Sequence, residues 1–477
     1  MYTVYIENKS IEKRGRTFLE NISLKISQNE NWVFLGPNGS GKTILGKLIL
    51  DETKKRTGYV SFEKEKAILD KEREEDETDI LNYQDPGTSA SEFILQSGGS
   101  SSLLKQLAEQ FHFSELLSRG LKYLSTGEMR KVIIAESLMN GPDILILDEP
   151  YDGMDVQSRN DLSKLLDKLI KDNIQIILLL NRFSEIPDFI SHIGYLQNKK
   201  LILTGKAEDV LESEELKRLF YFHEDMPESL PESILNQDHL YKGEDLVLMN
   251  QIRVAYGEKI VLNDLNWTLK RGEHWKITGP NGVGKSTLLS LISGDNPQAY
   301  ANDLTLFGMK RGSGETVWDI KKHIGYVSSS FQTDYRVNTS VLLTVISGFY
   351  DSIGVYNKYG EMETNIGRQW LKLIKLDRKV KQPLHCLSFG EQRMVLIIRA
   401  MVKHPPLLIL DEPCQGLDEL NRLMVLKLID IIARESESTV LYVTHHREDH
   451  LDSIHKELQF SFLKNSDGSK IQCLELK

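Results

Sequence analysis

Short apolar runs alternate with longer amphipathic runs along both halves of the chain. The apolar runs are four to seven residues long, which is typical of buried strands, and the amphipathic runs have the length of helices. The predicted strands are 32–35, 144–147, 174–180, 275–278, 407–410 and 439–443, and the predicted helices are 43–50, 128–139, 286–292 and 391–402. This alternation predicts an α/β protein with parallel sheets.

The pattern occurs twice. Lys42 and Lys285, which occupy matching positions early in the two halves, lie 243 residues apart. Matching positions further along, such as Leu124 and Leu387, lie 263 residues apart, so the second half holds 20 additional residues between these points. A repeat of this length indicates two homologous domains rather than a solenoid. We predict a first domain at 1–222, an acidic linker at 223–245 and a second domain at 246–477.

Composition is that of an ordinary globular protein, with 40% hydrophobic and 27% charged residues in a chain of 477. No apolar run approaches the roughly 18 residues that a transmembrane helix needs, and the first residues lack the apolar core of a signal peptide. We therefore expect a cytoplasmic protein. Three cysteines are too few for a disulfide framework, and we expect Cys386 and Cys414 to be small buried side chains.

The charge balance is acidic. A formal net charge of -10 argues against bulk nucleic-acid binding, so we expect no DNA or RNA partner. The predicted linker contains seven acids and one lysine, which is typical of an exposed segment. We also expect the acidic run at 72–79 to be a solvated surface loop.

Two glycine-rich segments carry the first chemical signal. Residues 36–43 read GPNGSGKT and residues 279–286 read GPNGVGKS, and both fit the phosphate-binding pattern G-x-x-x-x-G-K-[ST] between a strand and a helix. Glycines let successive backbone N–H groups converge on phosphates, and the helix N-terminus adds partial positive charge. The sequence therefore predicts two ATP sites. The predicted nucleotide-binding residues in these loops are Gly36, Asn38, Gly39, Gly41, Lys42, Thr43, Gly279, Asn281, Gly282, Gly284, Lys285, Ser286 and Thr287.

An Asp-Glu pair follows a predicted buried strand in each half. Ligands of open α/β sheets bind at the carboxyl ends of the strands, which is where these pairs lie. We expect Glu149 and Glu412 to act as general bases toward the attacking water. Hydroxyl and carboxylate oxygens are the ligands that Mg²⁺ prefers. The predicted magnesium ligands are Thr43, Asp148, Ser286 and Asp411.

Two further segments, LSTGE at 124–128 and LSFGE at 387–391, each place a serine 23 residues before the aspartate of the acidic pair. With these motifs together, the chain resembles the ATP-binding cassette superfamily. The resemblance covers nearly the whole chain. It implies two tandem P-loop domains, each with a RecA-like core, an antiparallel β subdomain and a helical subdomain, and it implies ATP hydrolysis.

The resemblance also implies that the two cassettes of this chain close head to tail around two ATP molecules, each capped by the signature segment of the opposite cassette. It implies D-loops at 152–155 and 415–418. The first composite site would combine Lys42, Thr43, Asp148 and Glu149 with Ser388, Gly390 and Glu391. The second composite site would combine Lys285, Ser286, Asp411 and Glu412 with Ser125, Gly127 and Glu128.

The two halves depart from the family pattern differently. The family has a switch histidine, which His445 supplies in the second half as a catalytic residue, whereas Asn181 stands in its place in the first. The family also has an aromatic residue that stacks on adenine. Tyr256 matches it, whereas the first half has Lys13 at that position. We therefore expect the second site to carry most of the turnover.

The family expects a glutamine after a strand that reads GYV. The second half has Ser329 at that position and Gln332 three residues later. The first half offers Gln84 in a poorly matching context. Which of these residues serves as the glutamine stays open on the sequence.

A narrower resemblance is to ModF-type tandem cassette proteins, a group described as molybdenum-transport or photorepair ATP-binding proteins. It implies an ATPase component that serves separate integral membrane permease subunits and lies peripherally on the inner face of the cell membrane. The alternative is a soluble cassette ATPase that acts on a ribosomal or nucleic-acid partner. The linker lacks the long charged insert of cassette-type translation factors, which disfavours the ribosomal branch. The intact Glu149 and Glu412 disfavour a regulator without turnover.

Overall fold

The computed structural model describes residues 2–13, 15–53, 55–74, 86–216, 229–231, 240–257, 259–335, 337–446, 448–464 and 470–476. The chain divides into two compact units, Met1–Tyr221 and Phe222–Lys477. Gln84 and most of the predicted linker lie outside the described residues, and the limits of the predicted domains stay a prediction.

The first unit begins with an antiparallel pair of strands and continues as alternating strands and helices. Its strands are β1 (Tyr2–Lys13), β2 (Arg16–Ser27), β3 (Trp32–Leu35), β4 (Thr57–Ser61), β5 (Ile144–Asp148), β6 (Gln175–Leu180), β7 (His192–Gln197) and β8 (Lys200–Lys206). Its α-helices are α1 (Lys42–Glu52), α2 (Phe62–Glu74), α3 (Ala90–Gln96), α4 (Ser101–Gln110), α5 (Thr126–Leu138), α6 (Val156–Lys171) and α7 (Ala207–Leu211).

The second unit repeats this order with additional elements. Its strands are β9 (Asp245–Tyr256), β10 (Lys259–Lys270), β11 (Trp275–Thr278), β12 (Asp303–Leu306), β13 (Met309–Lys310), β14 (Ile324–Ser328), β15 (Leu407–Asp411), β16 (Thr439–Thr444), β17 (Lys456–Lys464) and β18 (Lys470–Leu476). Its α-helices are α8 (Lys285–Ile292), α9 (Val317–Lys321), α10 (Ser329–Asp334), α11 (Val341–Ile346), α12 (Glu361–Leu373), α13 (Phe389–Met401) and α14 (Glu419–Glu435).

Each unit is built on a six-stranded sheet with the same strand order. The order is β4-β5-β6-β3-β7-β8 in the first unit and β14-β15-β16-β11-β17-β18 in the second. Five strands of each sheet run parallel and the last pairs antiparallel with its neighbour. The glycine-rich loops and the acidic pairs therefore share the carboxyl edge of their sheet. The predicted fold class is confirmed.

The two units differ in their antiparallel sheets. The first unit has the two strands β1 and β2, whereas the second has four in the order β10-β9-β12-β13. The sequence GYVS occurs in β4 and in β14, 267 residues apart, which exceeds the spacing of the two lysines by 24. The inserted residues therefore form β12, β13 and α9 of the second unit.

The strand that feeds the first glycine loop is buried between two apolar layers. In the first unit, Val33 and Leu35 pack against the helices, whereas Trp32 and Phe34 pack against the antiparallel strands. All four are at most 4% exposed. This burial fixes the position of the loop that follows.

Two predictions about side-chain exposure are wrong in part. Glu72, at the start of the predicted surface loop, belongs to α2, is 7% exposed and accepts a hydrogen bond from Thr88 N at 3.0 Å. Residues 75–79 of that acidic run lie outside the described residues. A local acidic run gives no sign of this contact, because its partner is distant in sequence. Cys386 is exposed, whereas Cys414 is buried as expected. Within the described residues, no helix combines the length and apolar character that a membrane span requires.

Candidate functional site

Each glycine-rich loop folds back on its own lysine. Lys42 Nζ donates to the carbonyl oxygens of Gly36 at 2.8 Å and Pro37 at 3.2 Å. Lys285 Nζ donates to Gly279 O at 2.5 Å and Pro280 O at 3.4 Å. Both side chains are buried at the first turn of a helix, where the free N–H groups favour an anion.

Glycine is required at the first position of each loop. Gly36 and Gly279 have φ of 154° and 149°. A Cβ atom at Gly36 would lie 2.2 Å from Leu196 O, and one at Gly279 would lie 2.7 Å from Phe460 O. Backbone of the neighbouring strand occupies that space, so no larger residue fits. This close packing positions the loop against the sheet edge.

The other predicted phosphate-contacting side chains surround these lysines. Thr43 directly follows Lys42 in α1, and Ser286 and Thr287 follow Lys285 in α8. Gly41 and Gly284 cap these helices in the left-handed conformation, with φ of 108° and 106°. The remaining predicted loop residues, Asn38, Gly39, Asn281 and Gly282, lie between the strand and the helix of their unit.

The acidic pair of the second unit contacts both the lysine and the histidine. Glu412 Oε1 lies 2.8 Å from His445 Nδ1 and 3.9 Å from Lys285 Nζ. Burial favours protonation of Glu412, but the contacts with His445 and Lys285 outweigh it and hold the pKa of this carboxyl below its ordinary value. Glu412 is therefore ionised, as a general base must be. His445 Nε2 is buried and has no hydrogen-bond partner among the described residues.

Among the described residues, the acidic pair of the first unit lacks the contact with a histidine. Burial raises the pKa of Glu149 above its ordinary value, and Lys42 offsets only part of that effect. The neutral amide of Asn181 is the nearby side chain that replaces the histidine. The two glutamates therefore differ in electrostatic environment, although both occupy the same place in the fold.

Strand register establishes that Asn181 corresponds to His445. Leu35, at the end of β3, pairs with Leu180, and Asn181 is the next residue. Thr278, at the end of β11, pairs with Thr444, and His445 is the next residue. The one-residue difference from the 263-residue spacing lies in the loop before this strand.

Tyrosines that the sequence reasoning missed hold both aspartates. Tyr59 OH donates to Asp148 Oδ2 at 2.9 Å, and Tyr326 OH donates to Asp411 Oδ2 at 3.4 Å. The duplicated GYVS could have revealed them, because it places a tyrosine at the same position of β4 and β14. Burial raises the pKa of Asp411 to about 6, and the adjacent Glu412 adds to that effect.

Both signature serines cap the helix that follows. Ser125 Oγ accepts from Glu128 N at 3.4 Å while Glu128 Oε2 accepts from Ser125 N at 2.8 Å. Ser388 and Glu391 form the same reciprocal pair at 3.3 and 3.0 Å. Both serines are exposed, and a Cβ atom at Gly390 would lie 2.2 Å from Asn421. Gly127 lies in the first turn of α5, which begins directly after Ser125. Because α5 and α13 begin beside their serines, the backbone N–H groups of each first turn lie next to the serine.

The glycine loops, acidic pairs and capped helices recur together in one family of proteins. Residues 19–152 and 262–415 each match the family described as "ABC transporter". The chain is 43% identical over 92% of its length to the ABC transporter ATP-binding protein ModF of Escherichia coli (strain K12), of which it covers 92%. The chain belongs to the ABC transporter family. It is an ATP-binding cassette ATPase with two cassettes.

Other relatives extend across most of the chain. An uncharacterized ABC transporter ATP-binding protein of Schizosaccharomyces pombe (strain 972 / ATCC 24843) is 28% identical over 91% of this chain and 92% of its own length. The fold matches an archaeal ribosome recycling factor, aABCE1, in complex with the archaeal ribosomal stalk protein aP1, with a TM-score of 0.58. That match has 17% identity and covers 96% of this chain and 93% of that chain. At this identity it shows the fold alone.

Strand register locates the two positions at which the family has its glutamine, and neither holds one. Ser61 pairs with Asp148 as Ser328 pairs with Asp411, so β4 and β14 are equivalent and Phe62 matches Ser329. Gln332 is buried and its amide faces helix α13. The residue of the first unit that matches Gln332 is Glu65, which the sequence reasoning missed, and Gln84 lies outside the described residues.

The candidate adenine-stacking residue of the second cassette lies at the end of a strand. Tyr256 is 53% exposed, and its hydroxyl accepts a hydrogen bond from Asn296 Nδ2 at 3.2 Å. In the first cassette, Lys13 ends β1 at the equivalent place. An exposed ring held at one end is suited to stacking, but its role stays a prediction.

We expect Tyr256→Ala to weaken ATP binding at the second cassette by about 10- to 100-fold, because stacking of a base on an aromatic ring contributes about 1–3 kcal/mol. Titration with a fluorescent ATP analogue measures this. Tyr256→Phe keeps the ring and loses the bond to Asn296, so it should bind nearly as tightly as the unaltered protein. Equal binding by the alanine variant would remove Tyr256 from the nucleotide site.

Proposed function

We propose that this cassette ATPase hydrolyses ATP in a Mg²⁺-dependent reaction at two sites, of which the second carries most of the turnover. The observation that carries the proposal is the contact of Glu412 with His445 and Lys285 in the second unit, which Asn181 does not reproduce in the first. Lys285, Glu412 and His445 thus meet at the carboxyl edge of one sheet.

The side chains at this edge suit a magnesium ion. Thr43 and Ser286 supply hydroxyl oxygens beside the phosphate loops, and Asp148 and Asp411 supply carboxylates at the ends of β5 and β15. The buried Asp411 carboxyl has an elevated pKa of about 6, so a divalent cation would compensate a charge that the protein groups balance only in part. Magnesium bound there would neutralise charge on the phosphates.

The protein groups have separate roles in this proposal. Lys42 and Lys285 exchange their bonds to loop carbonyls for bonds to the β- and γ-phosphates. Glu412 accepts a proton from the attacking water, and His445 Nε2, which is buried, donates toward the γ-phosphate. Such preorganised donors act most strongly where water is excluded. Glu149 is the general base of the first cassette. Its ionised form is stabilised less than that of Glu412, because no histidine of the described residues contacts it.

We further propose that each site is completed by the signature segment of the other cassette. The capped helices at Ser125 and Ser388 support this, because each presents free N–H groups at an exposed serine, as a γ-phosphate requires. Linking the cassettes in one chain raises their effective concentration for each other.

For the biological role, we propose that the chain drives separate membrane permease subunits. The relative ModF, which matches 92% of the chain, is described as an ABC transporter ATP-binding protein, and this supports the role. The alternative is a ribosomal partner, because the archaeal factor with the same two-cassette fold acts in ribosome recycling according to its description. The expectation that no RNA partner exists thus gains no support from the comparisons.

Fractionation of cells that produce tagged Glu412→Gln protein separates these roles. The variant is expected to hold ATP and so to retain its partner. Co-sedimentation with membranes, and capture of integral membrane proteins after detergent extraction, is the expected result. Co-sedimentation with ribosomal particles that disappears when ATP is removed would overturn the transport role and favour the alternative. Tagged Lys42→Ala/Lys285→Ala protein serves as the matched control without bound ATP.

A further inference from the structure

We infer that Arg393 is a positioning residue for Glu412, joining the signature helix of the second cassette to the main chain of its general base. The inference rests on the proposed role of Glu412. Arg393 lies in α13, is fully buried, and donates from Nη1 to Glu412 O at 3.0 Å. It lies two residues beyond the signature segment 387–391.

Glu412 needs such support because of its backbone. Its φ is +51°, a left-handed backbone conformation that residues other than glycine rarely adopt. Its N–H donates to Val443 O at 2.9 Å, and its carbonyl accepts from Arg393. The residue is therefore held at both ends of its main chain, and these two bonds set the direction in which its carboxylate points toward His445.

Gln332 fixes the arginine from the opposite side. Its Oε1 accepts from Arg393 Nε at 2.5 Å, and its Nε2 donates to Phe389 O at 2.9 Å in the first turn of α13. The chain of bonds thus runs from the start of the signature helix through Gln332 and Arg393 to Glu412. A shift of that helix on ATP binding would be passed to the base.

The first cassette has a similar arrangement. Glu149 has φ +54°, and its carbonyl accepts from Arg130 Nη1 at 2.7 Å. Arg130 lies in α5 and is 1% exposed. Glu65, at the position that matches Gln332, lies 2.6 Å from Arg130 Nε. Two units that differ at most other positions keep an arginine on the base, which a merely space-filling residue would not explain.

Arg393→Lys in the full chain tests the inference. Lysine keeps the charge but cannot donate at once to Glu412 and Gln332 from a planar fork. We expect kcat to fall about tenfold to a hundredfold with KM and ATP affinity unchanged, because a base displaced by about 1 Å loses that much. Arg399→Lys is the matched control: Arg399 is a buried arginine of the same helix that bonds to Ser347 and Ser352 instead. It should leave kcat within about twofold.

A double-mutant cycle separates positioning from damage to the fold. In a Glu412→Gln background, Arg393→Lys should cause no further loss, because the group through which it acts is gone. An additional loss of tenfold there, or equal losses for Arg393→Lys and Arg399→Lys, would overturn the inference. If the lysine variant does not fold, Gln332→Leu offers a second test: it removes the acceptor of Arg393 Nε together with the donor to Phe389 O. It should lower kcat without changing ATP affinity, and an unchanged kcat would overturn the inference. A full rate for Glu412→Gln alone would refute the proposed base instead.

Discussion

Replacing Glu412 with glutamine is expected to abolish most ATP turnover while leaving ATP binding intact. The amide keeps the shape of the side chain and its neighbours, but it cannot accept a proton from the attacking water. General-base catalysis contributes about 10²–10⁴-fold in rate, and the loss should fall in this range. ATP affinity should survive because the phosphate loop and Lys285 are untouched. Steady-state phosphate release and binding of a fluorescent ATP analogue measure the two quantities.

Glu149→Gln is the matched control for this prediction. It makes the same chemical change at the same place in the other cassette, where Asn181 replaces the histidine. The loss should be smaller than for Glu412→Gln. Turnover at the unaltered rate by Glu412→Gln would show that Glu412 is not the base of the dominant site.

Removal of the phosphate-loop lysines should show the same asymmetry. Lys285→Ala removes a buried cation from the site that contains Glu412 and His445, and we expect near-complete loss of activity. Lys42→Ala removes its counterpart where the histidine is replaced by Asn181, and a larger residual rate should remain. Phosphate release at saturating ATP, compared for the two variants, measures the difference.

The alternatives to this result are distinct. A larger loss for Lys42→Ala would reverse the assignment of the dominant site. Equal losses would leave the asymmetry without support, because two coupled sites can fail together. Thermal unfolding of both variants controls for stability, since each lysine also bonds to the carbonyls of its own loop.

The parts of the site predicted from sequence are those that depend on local geometry. The glycines of the segments 36–43 and 279–286 stand where the backbone has positive φ or another strand approaches closely, so the sequence pattern predicts these loops. The apolar strands could be predicted because their burial on both faces leaves continuous runs of apolar residues. The acidic pairs could be located because they lie at the carboxyl ends of two of these strands.

The parts not predicted are contacts between residues distant in sequence. Arg130 and Arg393 lie in helices where the sequence gives no sign that they turn inward to a carbonyl. The contact of Glu65 with Arg130 depends on the pairing of β4 with β5. In the sequence, the duplicated GYVS is the sign of this pairing. Glu72 was expected in solvent because its neighbours are acidic, whereas its contact with Thr88 buries it.

The central claim is that each ATP site needs both cassettes. The most direct test is to produce residues 1–222 and 223–477 as separate chains. The cut leaves Leu240 and Tyr241 with the second piece, because Leu240 is buried and Tyr241 contacts Phe307 of the second unit. The account predicts slow hydrolysis by either piece alone when dilute, and recovery of activity when the two are mixed at rising concentration. Full activity, per ATP site, from one dilute piece would contradict it.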